Sequence, residues 1–72
     1  EVIEAEIIET SELINKEIKN ANLPGEIRIG AVLRNKKVII PRSDFVFQKD
    51  DNVVFIAKND SISIVENIFR LS

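Results

Sequence analysis

The chain has 72 residues, 12 acidic against 10 basic side chains, a formal net charge of −2, and no Cys, His, Trp, Tyr or Met. Disulfides and the commonest zinc ligand are excluded, and no Ser has an imidazole to activate it, so the expected class is a domain without catalytic activity. The near-balanced charge argues against a nucleic-acid partner, and the 44% hydrophobic content argues against disorder.

Residues 2–8 alternate, with Ile3, Ala5 and Ile7 on one face and Glu4 and Glu6 on the other, which predicts a half-buried strand. Ser11 is a helix cap candidate, and Leu13, Ile14, Ile18 and Ala21 follow at helical spacing until Pro24-Gly25 ends the segment. Residues 27–33 form a second strand, Asn35-Lys36 a two-residue hairpin turn, and residues 37–40 the returning strand, which Pro41 stops. Residues 43–48, with Phe45 and Phe47, predict a short strand or bend, and Asp50 and Asp51 a turn. The apolar run Val53-Val54-Phe55-Ile56-Ala57 predicts a strand covered on both sides. Asn59-Asp60-Ser61 offers another cap, and Ile62, Val65, Ile68 and Phe69 make a short amphipathic helix. The four Phe residues read as core.

The expected fold is α+β: a small, mixed, mostly antiparallel sheet of four to five strands with two short helices, in the order β-α-β-β-(β)-β-α. Residues 1–72 make a single domain whose core supplies roughly 3–5 kcal/mol, which calls for a partner or a larger parent chain. The chain starts at Glu1 without an initiator Met, and a fragment of a longer protein is expected. No apolar run reaches about 18 residues and no signal peptide is visible, so membrane insertion is not expected. The lack of Cys fits the cytoplasm.

Strict alternation through the hairpin places Ile27, Ile29, Ala31, Leu33, Val38 and Ile40 on a core face. Arg28, Gly30, Val32, Arg34, Lys37, Ile39 and Pro41 then share the opposite face. An apolar surface rimmed by cations suits a nucleotide, with bases on the apolar part and phosphates on Arg. The same face also suits a dimer interface without ligand, or a plain solvated surface. The acids match no Ca²⁺-binding loop, so no metal site is expected.

The ordered set Leu23-Pro24-Gly25, Ile29-Gly30-Ala31-Val32-Leu33-Arg34, Val38-Ile39-Ile40-Pro41, Ser43-Asp44 and Asp50-Asp51-Asn52-Val53-Val54-Phe55-Ile56 resembles the RCK C-terminal (TrkA-C) domain family, regulators of potassium transport. Asn15-Lys16 stands where the family often has Gly-Lys, and Asp50 where it prefers Gly. The resemblance implies a cytoplasmic, dimerising regulatory domain with a cyclic dinucleotide as possible effector; some relatives answer to divalent cations instead. It implies no cofactor in this domain, an upstream nucleotide-binding domain of the NAD or ATP class, and a membrane potassium channel or transporter subunit as partner. A ligand-free dimerisation module and an accessory domain of another membrane transporter are the alternatives.

Overall fold

The alternation at the start of the chain builds β1 (Val2–Glu6), with Ala5 buried, Ile3 half-buried and both Glu side chains in solvent. A computed structural model describes residues 1–69, the side chains of residues 68 and 69 excepted. The core placement of Ile68 and Phe69 expected from helical spacing therefore lies outside the described residues.

Three more strands follow: β2 (Ile27–Arg34), β3 (Lys37–Ile39) and β4 (Asn52–Ala57). They form one antiparallel sheet in the order β1-β4-β2-β3. One helix, α1 (Ile62–Phe69), packs Val65 fully into the core. The α+β class expected from the sequence is the observed one.

The hairpin between β2 and β3 turns on Asn35 and Lys36, whose φ angles are 52° and 65°. Two consecutive left-handed residues give the turn whose twist matches that of the flanking strands. The register is the expected one, with Arg34 opposite Lys37, Leu33 opposite Val38 and Val32 opposite Ile39.

The predicted helix over residues 11–21 is a series of turns ending in a single 3₁₀ turn at Ile18–Asn20. Asn15, at φ 67°, breaks helical geometry. The amide hydrogens of Asn15, Ile18 and Lys19 go to the carbonyls of Phe47, Phe45 and Ser43, and that of Phe47 returns to Lys16. A neighbouring segment thus takes the hydrogen bonds that a helix would use internally. Seen from the other side, the strand expected at residues 43–48 shrinks to one bridge, Glu17 to Val46. Ser11 still caps locally, accepting from the Leu13 amide at 3.1 Å. Asn59–Ser61 forms a 3₁₀ turn leading into α1, so these residues extend the helix start without a side-chain cap.

The core lies on one side of the sheet. Val32, Phe47, Val53, Phe55 and Val65 are fully buried there, and Ile7 continues it beyond the end of β1. Each such side chain contributes about 1.5–3 kcal/mol over an exposed position. β4 is central but covered on one face only: Val53, Phe55 and Ala57 are buried, while Ile56 is 52% exposed. β1 and β2 flank β4 edge to edge, giving it hydrogen bonds but not a second layer. Val2 and Val38, which share this outer face by register, are 74% and 67% exposed.

Candidate functional site

The single face predicted for the hairpin is split by an irregularity within β2. Ile29 pairs with Phe55 and Ala31 with Val54, so Gly30 is an extra residue opposite no partner. One inserted residue reverses the alternation beyond it. Ile27 and Ile29 point to the core before the bulge, and Val32 does so after it. The expected face is corrected accordingly. Val32 is fully buried opposite Val53, and Ile39, its partner on β3, is half-buried against the core. Ala31, Leu33 and Val38, expected inside, belong to the outer face, and Ile40 is 74% exposed. Gly30 does not mark a site of steric necessity, because a Cβ there would meet the Val54 carbonyl at 3.7 Å and Ile56 Cδ1 at 3.8 Å, ordinary contacts.

Arg34 is also corrected. Its Nε and one terminal nitrogen each donate to Asp51 at 2.7 Å, and the same terminal nitrogen reaches the Val46 carbonyl at 2.9 Å. The guanidinium lies 4.7 Å from the centre of the Phe45 ring, which in turn meets Phe47 edge to face. Asp51 is 1% exposed and also accepts from the Gln48 amide. The hydrogen bond to Asp51 raises the pKa of Arg34; burial opposes the shift and attraction to Asp51 adds to it. A raised cation pKa contributes stability that is present below the unfolded value and lost as pH rises through the folded one, so Arg34 keeps its charge throughout the ordinary range. This cation is tied into the fold through Asp51 and the Val46 carbonyl and does not line the groove at the start of β2.

Arg28 is different. It precedes the bulge, is exposed, and pairs across β4 with Ile56. β3 ends at Ile39, so the first half of β2 has no strand beside it on that edge. A groove of about 550 Å³ opens there, between the start of β2, residues 18–23 and residues 41–43. Lys19, Arg28 and Arg42 line it, with Ile18, Leu23 and Pro41 as apolar surface. No carboxylate is among its lining residues, although Glu17 pairs with Lys19 at 3.5 Å nearby. A second, larger hollow of about 950 Å³ lies beside it and shares Arg28, but Glu1, Glu26 and Asp60 line it as well. Mixed charge suits an anion poorly, so the smaller groove is the better candidate.

Of the seven predicted site residues, only Arg28 and Pro41 line this groove. Gly30 sits at the bulge, and Lys37 is exposed on the short edge strand. Lys19 and Arg42 were missed. Arg42 follows Pro41 directly and was within reach of the sequence; Lys19 was hidden by the helical reading of its segment. Among the described residues, no three acidic side chains are placed to hold a metal ion, and no helix is long and apolar enough to cross a membrane.

Residues 2–70 match the family model of the TrkA-C domain. The chain is 44% identical over all its 72 residues to the Trk system potassium uptake protein TrkA of Azorhizobium caulinodans, and spans 16% of that protein. It is 34% identical over 64 residues, 89% of its length, to a TrkA homolog of Archaeoglobus fulgidus, covering 15% of it. The chain thus spans about a sixth of the length of these two relatives. It is also similar to the RCK_C domain dimer of S. agalactiae BusR in complex with c-di-AMP, with a TM-score of 0.83 and 25% identity, covering 97% of this chain and 90% of that one.

Proposed function

We propose, from the premise that this chain belongs to the TrkA-C domain family, that it is a dimerising domain that senses a cyclic dinucleotide for a potassium uptake protein. The observation that carries the reading is the groove in which Arg28, Lys19 and Arg42 surround an apolar surface with no acid in the lining. Guanidinium groups recognise phosphate oxygens in pairs, and the apolar wall accepts a purine. The similarity to the BusR RCK_C domain dimer in complex with c-di-AMP supports this ligand class.

The ligand's own symmetry supports dimerisation. c-di-AMP has two equal halves, and two chains related by a twofold axis offer two equal grooves. The exposed apolar side chains Val2, Val38, Ile40 and Ile56 give a second copy something to cover. The rest belongs to the parent: a nucleotide-binding domain of the NAD or ATP class, a membrane potassium transport subunit, and a cytoplasmic location. No catalytic role is assigned, since the chain has neither His nor Cys.

Calorimetric titration of the wild-type domain with c-di-AMP tests the reading, with Arg28→Ala/Arg42→Ala as control. Saturable heat at one ligand per two chains, lost in the double variant, is the expected result. A dimeric wild type that gives no heat at high protein concentration contradicts it. The ligand-free dimer is the second reading, favoured by the exposed outer face. It predicts that Val38→Glu/Ile56→Glu yields a monomer by light scattering, while c-di-AMP changes nothing.

A further inference from the structure

The start of β2 forms one wall of the groove, and the irregular segments 18–23 and 41–43 form the rest. Residues 15–19 and 43–47 hold each other through four backbone hydrogen bonds, among them Lys19 to Ser43 and Ile18 to Phe45, both at 3.0 Å. Phe47, Phe45 and Ile18 pack these segments on the core, and a polar clamp at the far end adds a directional hold. Arg34, at the end of β2, grips Asp51 with two bonds of 2.7 Å, holds the Val46 carbonyl and covers the Phe45 ring. Asp51 also fixes Gln48 through its amide.

We infer that Arg34 and Asp51 are positioning residues for the groove: they set where Lys19 and Arg42 stand relative to Arg28. The route is physical and short. Arg34 is carried by the same strand as Arg28, so β2, with its bulge at Gly30 paired on both sides to β4, links the two. The guanidinium fixes residues 45–48 against that strand, and the backbone bonds pass the position on to Ser43 and Lys19 at the groove. The pair does not line the groove, so its influence on a ligand is indirect. Only the ligand part of the inference rests on the function proposed above.

The test is amide hydrogen exchange by NMR on the ligand-free domain, comparing wild type with Arg34→Lys. Lysine keeps the charge but loses the fork that grips both carboxylate oxygens. The expected result is exchange at Ile18 and Lys19 faster by about tenfold or more, with the β1–β4 amides unchanged. Should Arg34→Lys fold poorly, Arg34→Met/Asp51→Asn leaves no unpaired buried charge and repeats the comparison. Unchanged protection at Ile18 and Lys19, or a loss shared equally by the β1–β4 amides, overturns the inference. A titration with c-di-AMP adds the functional arm: the variant is expected to bind about tenfold or more weakly, and wild-type affinity in a variant with a loosened groove overturns the positioning role. A wild type that takes up no c-di-AMP removes the proposed function but leaves the exchange result to decide the clamp.

Discussion

Arg28 and Arg34 stand on one strand, six positions apart, with opposite fates. Strict alternation would put them on the same face, and Gly30 between them breaks the alternation. Arg28, before the bulge, faces an open edge and a groove. Arg34, after it, turns toward Asp51, with which it makes a bidentate pair. The role of a cation in this domain is set by what the neighbouring backbone brings to it, not by residue type or spacing alone.

The largest effect is expected from breaking the locked end. Asp51→Ala leaves the Arg34 guanidinium without its carboxylate and the Gln48 amide without an acceptor. Asp51 is buried but Arg34 is only part-buried, so the loss falls at the lower end of the buried-pair range, about 3 kcal/mol, most of the stability of a domain this size. Urea denaturation followed by circular dichroism is expected to find the variant largely unfolded near room temperature. A melt like that of wild type would mean that the pair is dispensable.

The bulge itself is tested by two adjacent residues. Val32→Ala is expected to cost about 2 kcal/mol, because Val32 is fully buried. Leu33→Ala, on the outer face, is expected to cost under about 1 kcal/mol in a monomer. Unbroken alternation predicts the reverse order, so the same denaturation series separates the two arrangements. Lys36→Gly sharpens the picture at the hairpin: relieving a left-handed non-glycine residue is expected to stabilise by about 0.5–1 kcal/mol, read as a rise in melting temperature. At the open end, Arg28→Ala is expected to change stability by under about 0.5 kcal/mol, since the side chain is exposed and makes none of the fold's ion pairs described above. A large loss there would show that Arg28 is structural.

The fold was legible where local rules decide it. Alternation around Ile3 and Ala5, the Asn35-Lys36 turn, and the apolar run of β4 each carry their own signal. The segment around Lys19 was not legible, because its amides are satisfied by residues 43–47, far away in sequence, and helical spacing of Leu13, Ile14 and Ile18 arises there without a helix. The site was half legible for a related reason. Arg28 and Pro41 precede or escape the bulge. Val32, Arg34 and Ile39 lie beyond it, where one extra residue inverts every side-chain direction. The partnership of Arg34 with Asp51 spans 17 positions and leaves no local pattern, so Asp51 reads as an ordinary turn residue until the chain is folded.

The measurement that bears most directly on the groove is an NMR map of amide shifts as c-di-AMP is added to the wild-type domain. The account predicts that the shifts concentrate at Lys19, Arg28 and Arg42, and saturate at one ligand per two chains. Shifts centred on the hairpin end at Arg34 and Lys37, or none at all, would contradict it.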